Sequence, residues 1–530
     1  MLQNRKEGCM MNKLLVKAKE NKWQILLTII FGCFPLICAM IYSILGKHGI
    51  SDVYLPASYW NDELMYYKQV EAVVNFGIPQ GWFGYQETHG SVFPFAVWSP
   101  AVLVPWIVWG VFFGWELTSP VYANIAYNII AMVFFVSLVK PTRKQSIFVL
   151  GLLAVFTPYS RFLLSGMPES IYMSMGIWMA ALLISINREY KCWKLIVMFV
   201  ISILITLGRP YLGLFMFFPM WFLLKKKKWI GGIISCAIAG FTALGYVMLT
   251  KLCCATYIIP SIETEWLESF INNGVTVGFD TLFGIIYEKF KLLITYHFIH
   301  GIKFGLFSGA LYTVAGVITF LLTLRCVWAF IQGKDRSIRE FCLIQSVITI
   351  GMVGAIFLFY RLGEGAKHLM IFIVLGIILI ALLREKFYLI KLITIVICLY
   401  FFVIKAWAPF DWQVAYDDGG LRKEVDLLKE QLNENMILED TDDRYDDTII
   451  WLASDIINGE SITANWGLLY AIPEGFGLNF CTQDYVMEHI DELKSAYIAV
   501  LPEGEVDKIF QGREMLVVGE VEHMKVYKLR

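Results

Sequence analysis

Runs of apolar residues separated by brief polar breaks dominate the chain up to about position 405. The first run covers about Trp23–Leu45. Ten more fall at roughly 119–139, 146–164, 170–186, 195–208, 211–224, 229–250, 305–331, 341–360, 368–383 and 388–405. A helix needs about 20 apolar residues to cross a bilayer. The pattern therefore predicts an all-α polytopic membrane domain with about eleven transmembrane helices.

Charge sets the orientation. Arg5, Lys6, Lys13, Lys17, Lys19 and Lys22 precede the first run, and no small-residue cleavage site follows it. It reads as a retained anchor with a cytoplasmic N-terminus. The apolar stretch Val92–Gly114 then decides everything downstream. If it spans, the clusters Lys140/Arg143/Lys144, Arg188/Lys191/Lys194, Lys225–Lys228, Lys334/Arg336/Arg339 and Arg384/Lys386/Lys391 all lie outside. If it does not, all five lie inside, as the positive-inside rule requires. Val92–Gly114 is therefore expected to be an interfacial helix. Pro94, Pro100 and Pro105 break it, and Trp98, Trp106, Trp109 and Trp115 suit the headgroup level. The external elements are then Ser51–Gly114, Ser165–Glu169, Arg209, Lys251–Phe304 with a second interfacial helix, Arg361–His368, and everything from Ala408.

The periodicity changes in the tail. DDGGLRKEVDLLKEQLNENMI has a helical spacing of apolar residues, DDTIIWLAS, AYIAVL and EMLVVG read as strands, and DYVMEHIDELKS and EGEVDKIFQG as helices between them. This predicts a small extracytoplasmic α/β domain over 408–530, after a membrane domain over 1–407. The tail has no glycine-rich phosphate loop and is assigned no catalysis.

Composition excludes several classes. The 530 residues are 58% hydrophobic and 17% charged, against about 25% charged for soluble domains. A net charge of −1 leaves no basic surface for nucleic acid. Cys33, Cys38, Cys236, Cys326, Cys342 and Cys398 lie inside apolar runs, and no CxxC has a second half, so a zinc ribbon is not expected.

The candidate chemistry gathers outside the membrane. Ser51–Ser99 carries Asp62, Glu63, Glu87 and His89 among many aromatic residues that could stack on a sugar. Transfer of a glycosyl group to a hydroxyl or amine needs a carboxylate to take the acceptor proton, and Asn61-Asp62-Glu63 is the leading candidate. In Gln86-Glu87-Thr88-His89, His89 could contact a phosphate and Glu87 could orient the acceptor. Ser165-Gly166-Met167-Pro168-Glu169 forms a tight external turn. There Glu169 either complements the dipole of the helix it begins or faces Asp62, where it could bind a divalent cation or the acceptor. Arg161, Arg209, Arg361, Lys367 and His368 stand at external span ends, where cations either snorkel or hold a leaving phosphate; Arg209 and Arg361 are the expected phosphate contacts. His297 and His300 share a helical spacing without a clear third ligand, so no metal site is assigned.

This arrangement resembles the GT-C group of glycosyltransferases that use polyprenyl-linked sugars. That group includes the protein O-mannosyltransferases, the aminoarabinose transferases and the oligosaccharyltransferase catalytic subunits. The likeness rests on four features: an acid after span one, an aromatic interfacial helix, an acid between spans three and four, and a large external loop after span seven. It covers about residues 15–405. It implies that Asp62 and Glu169 are the two loop acids of the catalytic centre; Glu63, Glu87, His89, Arg161, Arg209, Arg361, Lys367 and His368 are the substrate-binding candidates. It also implies a polyprenyl-phosphate sugar donor, an extracytoplasmic acceptor, and a surrounding of membrane lipid. Aminoarabinose-type members place a Glu and a Lys before the interfacial helix; here the stretch holds Glu87 and His89, and the Lys is missing. No Trp-Trp-Asp motif is present, which argues against the N-glycosylating branch. Two rivals remain. A transporter or lipid flippase would place buried charge near the midplane, and a non-catalytic scaffold would tolerate loss of both Asp62 and Glu169.

Overall fold

The computed structural model describes residues 2–45, 49–52, 62–77, 83–87, 99–253, 263–332, 336–383, 387–405, 421–439, 443, 445–452 and 467–530; for 2–21, 52, 62, 83, 336–339 and 421 only the backbone is described. His89 therefore lies outside the described residues, as does the side chain of Asp62.

In chain order the helices are α1 (Leu2–Leu45), α2 (Asp62–Phe76), α3 (Val104–Phe113), α4 (Ser119–Val139), α5 (Arg143–Val155), α6 (Pro158–Leu163), α7 (Glu169–Arg188), α8 (Cys192–Gly208) and α9 (Phe217–Cys253). Then follow α10 (Glu265–Asn273), α11 (Val275–Leu292), α12 (Ile299–Phe304), α13 (Phe307–Ile331), α14 (Arg336–Phe359), α15 (Leu362–Gly365), α16 (Met370–Ala381) and α17 (Tyr388–Leu399). The tail adds α18 (Leu421–Asn435), α19 (Gln483–Glu488) and α20 (Glu505–Gly512).

Eight helices among the described residues are long and apolar enough to cross a membrane, and the chain is a multi-pass membrane protein. The other three expected spans are present in altered form. The 146–164 run is broken at Phe156-Thr157, where Pro158 starts α6. α8 is 17 residues long. The runs at 211–224 and 229–250 merge into one continuous helical stretch that turns at Lys228, whose φ of 46° and ψ of −124° interrupt the helix.

α7 and α16 form the centre. Their most apolar stretches are 83% and 89% buried, against 11% for the stretch leading into α9 at the periphery. α7 packs on α4 and α16, and α4 packs in turn on α1. Arg188 at the end of α7 donates to the carbonyl of Val139 at the end of α4, so the two helices finish at one face. On that same face Lys225 pairs with Glu340.

The expected interfacial helix is shorter than Val92–Gly114. Residues 91–98 lie outside the described set; Pro100–Val102 form a 3₁₀ turn, and α3 begins at Val104 with Pro105 in its first turn. Proline is tolerated there because the first amide hydrogens of a helix have no partner anyway. The Lys251–Phe304 region holds two helices, α10 and α11, packed as a hairpin, followed by a π-helical stretch, Leu293–Phe298, and α12.

The tail forms a sheet of strands β2 (Thr448–Leu452), β3 (Gly477–Cys481), β4 (Tyr497–Val500), β5 (Val517–Val521) and β6 (Met524–Lys528). Its sixth strand, β1 (Phe83–Tyr85), comes from the segment between α2 and α3, giving the order β1-β3-β2-β4-β6-β5. β1, β3, β2 and β4 run parallel; β6 and β5 return antiparallel. Every residue of β2 is buried: Ile449 and Trp451 join the main core, while Ile450 and Leu452 join a second one with Val506 and Phe510 of α20. A strand covered on both faces reads as an unbroken apolar run. The expected division at 407/408 thus leaves one strand of the sheet on the membrane side.

Candidate functional site

The site is built at the face opposite Arg188. α7 begins at Glu169, α8 ends at Gly208, and a 3₁₀ turn over Ala366–Leu369 leads into α16. These three ends meet. Arg209 Nη1 donates to Glu169 Oε1 at 2.6 Å and to His368 Nδ1 at 2.8 Å. The Tyr211 hydroxyl lies 2.6 Å from the same Nδ1. The Arg209 guanidinium is always a donor, so Nδ1 is the acceptor and the proton of the neutral ring sits on Nε2. The guanidinium also lies over the Tyr172 ring at 5.2 Å. Arg209, Glu169 and His368 are all buried. A buried charge is tolerable only when paired and hydrogen-bonded. Glu169 Oε2 is buried and accepts no hydrogen bond from the described residues.

Close packing holds this geometry. A Cβ on Gly208 would come within 2.5 Å of the Tyr172 hydroxyl and 3.3 Å of Val102. Glycine at that point lets the α8 end approach α7. The Ser165–Glu169 turn is held from α4: Asn124 Nδ2 donates to the Ser165 carbonyl at 2.7 Å, and Asn128 Nδ2 to Ser170 Oγ at 3.1 Å. Trp106 of α3 donates to Asn124 Oδ1 at 3.1 Å, so the interfacial helix reports directly on the turn that carries Glu169. Sequence reasoning passed over Asn124, Asn128, Tyr172 and Tyr211. The signal available was two amides four residues apart inside an apolar span, where polar side chains are expensive.

A small depression of about 10 Å³ opens beside this network, lined by Glu169, Arg209, Tyr211, Lys367 and His368 among others. Of the expected residues, Glu169, Arg209, Lys367 and His368 are therefore gathered at one place. Arg161 is buried at the same end of the bundle, its guanidinium 5.3 Å from the Phe307 ring centre. Arg361 is not in the cluster; it is exposed and lies 3.7 Å from Glu364. Glu63 is buried within α2, one turn before Tyr66, whose ring packs on Trp106 with centroids 6.0 Å apart.

Glu87 has gone elsewhere. It follows β1, with φ of 55°, and its carboxylate Oε1 accepts from the Lys494 and Ser495 amides at 2.9 and 2.7 Å and from Ser495 Oγ at 2.8 Å. Its own amide donates to Asn479 Oδ1, and its carbonyl accepts from the Tyr445 hydroxyl. It fastens the first loop to the tail sheet. α2 is tied to the same domain: Lys68 Nζ donates to the Ile472 carbonyl at 2.8 Å, and Tyr67 meets Tyr470 edge-on.

His297 is also buried, with Nδ1 2.6 Å from Ser308 Oγ. A Cβ on Gly309 would lie 1.8 Å from the His297 carbonyl, so the π-helical stretch and α13 pack backbone against backbone there. Burial, and secondarily His300, lowers the imidazole from its usual range. It holds a helix junction together and joins no metal-ligand set among the described residues.

Fold and site together define a polytopic membrane protein with a buried charge network opening at one membrane face. No protein-family model matches the chain, and no curated protein matches its sequence. Solved structures similar to it include the oligosaccharyltransferase of Archaeoglobus fulgidus in its apo form (10% identity, TM-score 0.47, covering 90% of this chain and 69% of that one). They also include ArnT from Cupriavidus metallidurans, both bound to undecaprenyl phosphate (9% identity, TM-score 0.48, 95% and 98% covered) and in the apo state (10%, 0.40, 95% and 97%).

Proposed function

We propose that the chain is a membrane glycosyltransferase that moves a sugar from a polyprenyl-phosphate donor to an acceptor at the face carrying Glu169. The observation that carries this reading is the buried Glu169–Arg209–His368–Tyr211 network at the mouth of an opening beside Lys367. The reaction needs a carboxylate for the acceptor proton and fixed cations for the phosphate that departs. Asp62, the first residue of α2, is assigned as the base. Arg209 and Lys367 hold the leaving phosphate, and His368 Nε2 offers it a hydrogen bond. Glu169 aligns Arg209 through Oε1 and meets the acceptor through Oε2. Arg161, Arg361, Glu63 and His89 are assigned to the donor and acceptor surfaces around this centre, and the lipid tail to a groove between spans. Among the described residues Glu169 has a guanidinium for its neighbour, so a divalent cation there would depend on Asp62. The charge lies at helix ends at one face, whereas a transporter would place it near the midplane.

The test is incubation of the purified full-length protein with a panel of radiolabelled polyprenyl-phosphate sugars. Asp62→Asn is expected to lower transfer by about 10²–10⁴-fold with unchanged yield and melting temperature. Wild-type turnover by that variant would remove Asp62 from the mechanism. Facilitated passage of the intact lipid-linked sugar across vesicles, without transfer, would favour the transporter reading.

A further inference from the structure

The segment between α1 and α3 carries Asp62, and the tail holds that segment at three places. Arg422 of α18 donates to the Ser51 carbonyl at 2.6 Å, ahead of Asp62. Well beyond it, β1 pairs with β3 and Glu87 fastens that end. Between the two, Lys68 of α2 donates to Glu71 Oε2 at 2.6 Å and to the Ile472 carbonyl at 2.8 Å. The fastenings thus stand on both sides of Asp62 in the chain.

Lys68 is the fastening next to it. Asp62 is the first residue of α2, and the six residues to Lys68 rise about 9 Å along the helix. The Lys68 and Glu71 side chains are 9% and 6% exposed. A lysine is seldom buried to that degree unless it is paired. Of its three hydrogens, Glu71 takes one from a turn away, and a carbonyl 404 residues along the chain takes another. Tyr67 grips alongside. Its ring stacks on Trp115, just past α3, at 5.6 Å and meets Tyr470 edge-on at 5.0 Å. Its carbonyl accepts from Trp115 Nε1 at 3.1 Å. The tail side of this grip is firm: Leu469–Ala471 forms a 3₁₀ turn packed on α18, and Leu469, Tyr470, Ala471 and Ile472 are all buried. A helix of 15 residues is marginal by itself in water, so the direction of α2 is set by what holds it.

We propose that the tail positions the base of the reaction. Lys68, through the Ile472 carbonyl, fixes the axis of α2 and with it the distance from Asp62 to the Glu169 network. Lys68 is a positioning residue that acts through its helix, and its role rests on the reading of Asp62 given above. Arg209 and Lys367, which hold the phosphate in that reading, stand on other elements. Loosening α2 should therefore change turnover and spare donor binding.

Hydrogen exchange and transfer kinetics of the purified full-length protein test it. Lys68→Met is expected to speed exchange over 63–76 by about tenfold, while the bundle and the tail sheet stay protected. It should lower kcat by about 10²-fold and leave the KM for the donor unchanged. It should also move the acid limb of the kcat–pH profile, which reports the base in the substrate complex. A smaller folded fraction would scale that profile without moving it. Lys68→Met/Glu71→Gln leaves no charge of the pair stranded and should behave the same way, which keeps the test open if the single variant does not fold. Lys508→Met, on the exposed side of α20, should alter none of these. Exchange over 63–76 equal to the wild type would overturn the hold, and faster exchange with wild-type kcat and pH profile would overturn the positioning. Wild-type turnover by Asp62→Asn would strike the base instead, and the exchange would then decide the hold alone.

Discussion

Arg209 carries a structural load in addition to the role proposed for it in transfer. Its Nη1 bridges Glu169 and His368 in a buried environment. Arg209→Met would strand the Glu169 carboxylate without its partner, and breaking a buried pair in this way costs about 3–5 kcal/mol. A clear fall in melting temperature is expected, with part of it recovered in Glu169→Gln/Arg209→Met, where no charge is left unpaired. Transfer should be lost in both variants. A melting temperature for the single variant equal to the wild type would show that the pair does not carry that load. Each member was legible in the sequence as a charged or titratable group at a span end. Their meeting was not, because 40 residues separate Glu169 from Arg209 and 159 separate Arg209 from His368. The expectation also gave Arg361 the same weight as Arg209; only burial distinguishes them, and burial depends on which helix ends are brought together.

At the level of elements, the tail segments with a clear apolar period agree with their expected positions, and those without one were missed. α18, α20, β2 and β4 fall within segments whose apolar spacing announces them. β1 and β3 were missed, because Phe-Gly-Tyr is too short to show a period and Gly-Leu-Asn-Phe-Cys opens on glycine. β1 exists because β3 offers it an edge and because Glu87 locks it there. Glu87→Ala removes the acceptor of three donors, two of them backbone amides, and should destabilise the loop–sheet contact by about 1–3 kcal/mol. Hydrogen exchange at 83–87 is expected to accelerate while the membrane helices stay protected. Cys481, whose thiol is pushed up by burial and by the nearby Glu87 carboxylate, should become open to alkylation in the same variant. Unaltered exchange and an inert Cys481 would mean that strand pairing alone holds the loop.

The whole molecule joins the segment between α1 and α3 to the tail over the mouth of the bundle. α2 lies between α3 and the tail domain, and Arg422 Nη1 reaches the Ser51 carbonyl at 2.6 Å. The two ends of the bundle are chemically distinct, with lysines and Arg188 at one and the Glu169 network at the other. Orientation is checked by labelling intact cells with a membrane-impermeant maleimide, using single cysteines in a cysteine-free background. Glu364→Cys, on the network's face, is expected to react, and Lys144→Cys to be shielded until the membrane is permeabilised. The reverse pattern would invert the topology.

The apolar runs determined by themselves that this chain is threaded repeatedly through a bilayer, because hydrocarbon demands about 20 apolar residues per crossing whatever their neighbours are. The distribution of lysine and arginine supplied the expected direction of that threading by the same local logic. Tertiary structure alone decided which polar side chains share a cavity, that Glu87 fastens a loop to a distant sheet, and that Lys68 reaches the Ile472 carbonyl. Those outcomes depend on contacts between residues far apart in the chain, and no spacing along it encodes them.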